Sequence, residues 1–327
     1  KIKNINYICP KFFLGNLFLR IIWQIFILNL IIIKNNYHCI FVTGSSHLIL
    51  AKPVVTISQN LLPFTPLEVK KYFLSFFYLK LKILYITQKF SFKLSQGVIF
   101  LHNISKNIIL REIGEIKGEK KIVAHGLNTS LKKKKYRNKK YRLIYVSNID
   151  FYKNQIFLLK AIDFFLEKNP EFKKDLNVEF FGSYYRPALN EFNSYLAKKV
   201  KNKKNFKYYG LKSSKFIYND RKGIDTIFLF ASTCENFSVS LIEGMSRGYP
   251  ILCVNKQPMK SVLGSGAVFY RHETISSFYD NLSKIIFSKK KQNILSSKVY
   301  LRSKKFNDNN MAKKTYSFLI KISKKYE

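Results

Sequence analysis

Acidic residues are scarce in this chain. Its 327 residues include 19 Asp and Glu against 58 Lys and Arg, a formal net charge of +39. That balance excludes an acidic-tail protein and a calcium buffer, which need clustered carboxylates. It invites an anionic partner: nucleic acid, a membrane surface or a phosphorylated substrate. The chain is also crowded with Lys, Ile, Asn, Phe and Tyr, the residues of A/T-rich codons, and coding drift accounts for the charge equally well. Cysteine is sparse too. Cys9, Cys39, Cys234 and Cys253 lie far apart with no Cys-x-x-Cys pair. This excludes a zinc ribbon or a disulfide framework and fits thiols buried in a reducing compartment. The five histidines (His38, His47, His102, His125, His272) lack metal-ligand spacing. Aromatics make up 16% but form no ordered stacking motif, so no named RNA-binding module is indicated.

Long apolar runs are limited to Leu14 to Ile33. Asn16, Arg20, Gln24 and Asn29 interrupt that run, so a buried or interfacial helix is expected rather than a span. No small-residue processing site follows, and no cleavable signal is expected. The chain begins with Lys rather than Met, and its first domain is expected to be N-terminally incomplete.

Elsewhere short β-branched runs alternate with helical periods. Strands are expected at Cys39–Thr43, Val54–Ser58, Gly97–Leu101 and Ile122–Ala124, and helices at Leu67–Phe90 and Ser105–Ile113. From Leu131 to Tyr141 the apolar period vanishes and Lys132 to Lys135 run consecutively, which reads as an exposed basic linker. The rhythm then restarts. Strands are expected at Leu143–Val146, at Val178–Phe181 (ending on Gly182), at Thr226–Ala231 and at Ile251–Val254. Helices are expected at Ile156–Lys168, Ala188–Lys201, Ser240–Arg247, Thr274–Ser288 and Asn310–Tyr326. This alternation implies an α/β protein with two Rossmann-like parallel-sheet domains. The expected division is an incomplete domain at 1–130, the linker at 131–141, a second domain at 142–305 and a C-terminal helix at 306–327.

The segment from Phe228 to Cys253 carries the most chemical information. A fully apolar strand runs into a loop, the loop into a helix, and the next strand follows Gly248-Tyr249-Pro250. Ligands of open parallel sheets sit at the C-terminal ends of strands, where the loop Glu235 to Val239 falls. Free backbone N–H groups at the helix start suit a diphosphate. Glu235 before the helix and Glu243 in its first turn are placed to bond sugar or ribose hydroxyls. Spacing alone leaves plainer readings open. Ser240-x-x-Glu243 is also a capping box, Glu235 also reads as a surface loop charge, and Lys153 alone as a solvated lysine.

These residues resemble a family. Glu235 and Glu243, with seven residues between them and a Gly-x-Pro turn after them, look like the Glu-x7-Glu motif of retaining glycosyltransferase family 4, which has the GT-B fold. Tyr145 to Gln155 resembles the first strand and loop of that family's donor domain, and Asn255 to Gly264 the segment after the motif. Gln59 to Phe64, Val98 to Leu101 and His125 to Asn128 resemble its acceptor domain. The nearest group is the mannosyl- or rhamnosyltransferase-like bacterial enzymes of surface polysaccharide (O-antigen or capsule) assembly.

The resemblance implies hexose transfer from a nucleoside diphosphate sugar to a saccharide or lipid-linked glycan, with retention of configuration. It implies no cofactor beyond that co-substrate and no metal in the chemistry; the absence of Asp-x-Asp disfavours the metal-dependent GT-A alternative. Glu235 would face the transferred sugar and Lys153 would neutralise the leaving diphosphate. Glu243 would bind the ribose. Asn148, Gly182 and the run Asn236, Phe237, Ser238, Val239 would complete the donor site, and Gln59 and Asn60 the acceptor side. The chain departs from the family at Asn148, where an Arg is common, and at Gln59-Asn60, where His-Asp is common. The family's N-terminal Gly-rich loop is not found. A cytoplasmic location on the inner face of the cell membrane is expected, with peripheral contact to anionic lipid through Lys132 to Lys140 and Lys198 to Lys204. No specific nucleic acid is expected. Two other classes stay open: a non-catalytic polyanion- or membrane-binding protein on the same fold, and a GT-B epimerase or phosphorylase.

Overall fold

The computed structural model describes residues 22–127, 138–219, 221 and 223–327, together with Asn6, Ile8 and Leu19. Most of the first half of the Leu14–Ile33 run, Cys9, Asn128 and most of the basic linker lie outside the described residues. The strands form two parallel sheets, and helices join most consecutive strands, Ile40–Val42 and Val54–Ser58 being linked by a loop instead.

In the first sheet, α1 (Leu28–Asn35) precedes β1 (Ile40–Val42) and β2 (Val54–Ser58). Helix α2 (Phe76–Leu94) leads to β3 (Gly97–Phe100), and α3 (Asn103–Ile113) to β4 (Glu119–Ile122). The order is β1-β2-β3-β4, all parallel. Every residue of β2 and β3 is buried, as expected for strands covered on both faces.

The second sheet comprises β5 (Lys140–Val146), β6 (Leu176–Phe181), β7 (Phe206–Tyr208), β8 (Ile224–Phe230), β9 (Ile251–Val254) and β10 (Ala267–Tyr270). Its longer helices are α4 (Gln155–Lys168), α5 (Arg186–Lys198), α6 (Val239–Ser246), α7 (Ile275–Ile286) and α8 (Lys289–Ser303). The order is β10-β9-β8-β5-β6-β7. Chain progression therefore runs outward in both directions from the β5/β8 pair, the doubly wound arrangement whose crevice opens where the order reverses.

The last helix, α9 (Asp308–Tyr326), returns to the first sheet. Its buried Phe318 and Ile322 reach the core, with the Phe318 ring against Gly97. Lys321 and Lys325 pair with Glu119 on β4. Leu127 bridges Asn307 in parallel. A Cβ on Gly126 would stand 2.4 Å from the Asn307 backbone, so only glycine lets the two segments lie this close.

Several expected boundaries move. The strand placed at Ile122–Ala124 is instead Glu119–Ile122; an edge strand pairs on one side only, so its lysines need not be excluded. The helix expected over Leu67–Phe90 is divided into short turns at Pro66–Val69 and Lys70–Tyr72 and then α2. Leu74 takes a left-handed φ of 61°, and the Ser75 Oγ accepts from the Tyr78 N–H at 3.1 Å to start the new helix. Strand β5 begins at Lys140 rather than Leu143 because Arg142 is buried. Its Nε donates to Glu179 at 2.6 Å, and Arg221 also pairs with Glu179. Strands β7 and β10 and helix α8 were not expected.

Candidate functional site

The loops after β5, β6 and β8 enclose an open cleft of about 420 Å³ at the point where the strand order reverses. Val146, Ser147 and Asn148 continue from β5, Gly182 and Ser183 from β6, and Glu235 with Phe237 to Ser240 and Glu243 from β8 into α6. Lys153, from the tight turn Phe151–Lys153 before α4, reaches in from the side. Gly182 has φ +139°, and a Cβ there would meet the Ser147 carbonyl oxygen at 2.3 Å. Glycine is thus needed for the β6 loop to lie against the β5 loop.

The Lys153 ammonium donates directly to Glu235 Oε1. Both side chains are largely buried, 10% and 13% exposed. Burial is the largest single influence and would depress the lysine pKa, but the Glu235 carboxylate and the Tyr152 and Tyr145 hydroxyls together turn the net direction upward, so Lys153 stays charged. The Tyr145 hydroxyl donates to the Lys153 carbonyl at 2.8 Å and fixes the turn that carries it.

Ser238 caps α6, its Oγ accepting from the Leu241 N–H at 3.3 Å. This corrects the capping box built on Ser240. That hydroxyl instead donates to the Val146 carbonyl at 2.8 Å and ties α6 to the end of β5. Glu243 therefore lies past the first turn, and it ties off no backbone donor. Its carboxylate accepts from the Tyr218 hydroxyl at 2.9 Å and from Ser214 Oγ at 3.3 Å. Burial and that carboxylate hold the Tyr218 hydroxyl well above its ordinary pKa, so it remains a donor.

Of the residues singled out in the sequence, Glu235, Lys153, Glu243, Asn148, Phe237, Ser238, Val239 and Gly182 all line this cleft. Asn236 does not. Its side chain turns toward the first sheet and donates to the Ser58 carbonyl at 2.7 Å, while its own carbonyl accepts from Ser105 Oγ at 3.2 Å. Gln59 and Asn60 stand exposed just after β2, beyond the cleft lining. The Gln59 N–H donates to Ser45 Oγ and the Asn60 side chain accepts from the Leu62 N–H, both at 3.0 Å. They follow Ser58, which Asn236 holds, so they sit one and two residues from the junction with the Glu235 loop. His125 packs edge-on against Phe237, centroids 5.9 Å apart.

Three groups in or behind the cleft were missed. Lys212 lines it as a second cation, and Ser214 and Tyr218 set the Glu243 carboxylate. All three precede β8 in a segment with no strong period, and only the fold brings them in. Behind the cleft, the Tyr72 hydroxyl of the first half donates to Asp150. Burial pushes the Asp150 carboxyl pKa up, partly offset by that hydroxyl. The Cys234 thiol, beside Thr65 at 3.3 Å, is pushed up to about 12 by burial and is not a reactive nucleophile.

The fold is that of GT-B glycosyltransferase structures. A sucrose-phosphate synthase from Thermosynechococcus elongatus superposes with a TM-score of 0.74 at 13% identity, covering 96% of this chain and 79% of that one. The pneumococcal O-GlcNAc transferase GtfA, in complex with UDP and GlcNAc, gives 0.64 at 13% identity over 83% of this chain and 52% of its own. A TarM variant from S. aureus, in a complex that includes UDP, gives 0.63 at 12% identity over 82% and 50%. The chain thus spans about half the length of the GtfA and TarM chains. No curated protein sequence matches it. Residues 128–302, more than half of the chain, match the family described as Glycosyl transferases group 1. The segment so matched holds every residue that lines the cleft, and the chain belongs to the group 1 glycosyltransferases.

Proposed function

We propose that the chain transfers a hexose, mannose- or rhamnose-like, from a nucleoside diphosphate sugar to a saccharide or lipid-linked glycan in cell-surface polysaccharide assembly. Configuration at the anomeric carbon is retained, as in glycosyltransferase family 4. The observation that carries this reading is the Lys153–Glu235 ion pair, held within a cleft at the sheet's reversal point and beside the start of α6. The UDP bound in the GtfA and TarM structures supports a nucleotide as the donor's anchor. Residues 1–130 form the acceptor side in this reading, 142–305 the donor side, and the reaction takes place in the cytoplasm at the inner face of the membrane.

Within the cleft the two charges satisfy each other. An arriving diphosphate competes for the ammonium and frees the carboxylate. As the bond from the anomeric carbon to the phosphate oxygen breaks, its electron pair stays on that oxygen. Lys153, joined by Lys212, takes up the resulting charge, and the N–H groups at the start of α6 share it. Lys212 supplies the cation that Asn148 does not. Glu235 steadies the positive ring carbon until the acceptor oxygen, arriving on the face the phosphate leaves, bonds to it and gives up its hydroxyl proton to the departing phosphate oxygen. Glu243, oriented by Tyr218 and Ser214, accepts from the ribose hydroxyls. No metal is assigned to this chemistry.

Glu235→Gln tests the reading and keeps the side-chain volume. Transfer from a panel of sugar nucleotides should fall about 100- to 1,000-fold or more, with the far-UV spectrum unchanged. Near-normal turnover in a correctly folded Gln variant would sink it.

A further inference from the structure

Helix α2 has two apolar faces. Leu81 and Phe92 turn inward with Gln88 and Ser91. On the opposite side Phe76, Leu79, Ile83, Ile86, Phe90 and Leu94 follow one another three or four residues apart, and all stand exposed, none below 48%. That spacing draws a single stripe along the whole helix. The preceding turn extends it with Phe73 and with Leu74, which is 89% exposed and held outward by its left-handed backbone. A contiguous apolar surface of this length marks a contact site.

Its borders indicate the partner. α2 carries Lys80, Lys82, Lys89 and Lys93 and no acidic residue. By helical spacing Lys82, Lys89 and Lys93 follow one edge of the stripe and Lys80 the other. Lys80, Lys82 and Lys89 stand 5.8, 5.4 and 5.9 Å from the ring centroids of Phe77, Tyr78 and Tyr85. A second copy of α2 laid on the stripe would set lysine against lysine with no carboxylate to answer. The complementary surface is one with an apolar interior under a negatively charged rim.

We propose that α2, with the turn Phe73–Leu74, lies flat on an anionic lipid bilayer, its stripe among the acyl chains and its lysines at the phosphates. Among the described residues no helix is long and apolar enough to cross a membrane. The run Lys198 to Lys204 offers charge without such a stripe. This contact does not depend on the chemistry in the cleft.

Flotation of the full chain with vesicles is the test, using phosphatidylcholine alone and phosphatidylcholine with about one third phosphatidylglycerol, near physiological salt. The chain should float with the anionic vesicles. The triple variants Ile83→Ser/Ile86→Ser/Phe90→Ser and Lys82→Glu/Lys89→Glu/Lys93→Glu should each lose at least about tenfold in partition. Lys198→Glu/Lys199→Glu/Lys203→Glu should lose far less. Ile83→Trp keeps the stripe apolar, and its emission should shift to the blue on anionic vesicles. Flotation indifferent to both α2 triples, or an unshifted Ile83→Trp emission, overturns the proposal. So does a dimer in sedimentation that the Ile83 triple converts to monomer, which would assign the stripe to a second copy.

Discussion

The two sheets are finished to different degrees. In the second, β6, β8 and β9 bury nearly every residue, and their continuous core reaches across to Val55, Ile57, Ile99, Leu101 and Val123 of the first half. In the first, only β2 and β3 are fully covered, β1 is half open, and β4 exposes Lys120, Lys121 and Ile122. Its separate core cluster is smaller and takes in Cys234 from the second half, while Phe318 and Ile322 of α9 cover its other side. One half carries its own packing, and the other leans on it. The cleft stands on the half whose side chains are most firmly held, which suits groups that must keep fixed positions.

The sharpest way to break this comparison is in the cores. Leu229→Ala, fully buried near the end of β8, should cost about 2–5 kcal/mol in urea unfolding; Ile40→Ala on the edge strand should cost clearly less. Equal losses would mean the two sheets are equally committed. The junction comes next. Asn236→Ala removes the donor to the buried Ser58 carbonyl and should cost about 1–3 kcal/mol. Hydrogen exchange should then quicken in β2 and β3 but not in β8 and β9. Uniform quickening would show that the halves unfold as one unit.

The smallest effect is pH-dependent and belongs to the first half. His47 is buried. Its Nε2 lies 2.8 Å from Ser95 Oγ, and its Nδ1 accepts from the Ile49 N–H at 3.3 Å. Burial lowers its pKa, so the folded chain binds fewer protons than the unfolded one below the ordinary histidine value of 6.5. The stability from the neutral ring is complete above that value and is lost as pH falls through the depressed one. His47→Gln should flatten the fall of the melting temperature between about pH 7 and 5. An unchanged slope would place the titration elsewhere.

Much of this architecture is legible in the sequence because parallel strands buried on both faces are short apolar runs. Val54–Ser58 and Ile251–Val254 are read to the residue. Glu235 and Lys153 stand out because each follows a strand. Their direct pairing is not legible, since it depends on β5 lying beside β8, which local pattern does not encode. Ser238 and Ser240 are equally good caps on propensity, and only the distant Val146 carbonyl decides between them. Arg142 reads as a strand boundary until Glu179 and Arg221 are seen around it. Tyr218 gives no signal of its own, and its meaning comes from Glu243.

The polypeptide passes between the halves twice, after β4 and before α9, and the passages are laced together. The Leu127 N–H donates to the Phe306 carbonyl at 2.9 Å, and Gly126 lies flush on Asn307. Two straps fastened side by side yield easily to bending across their common line, through a few backbone torsions. Twisting or sliding would have to tear them apart. Bending of the first half against the second would therefore turn about one axis, as a door does on paired leaves on its frame.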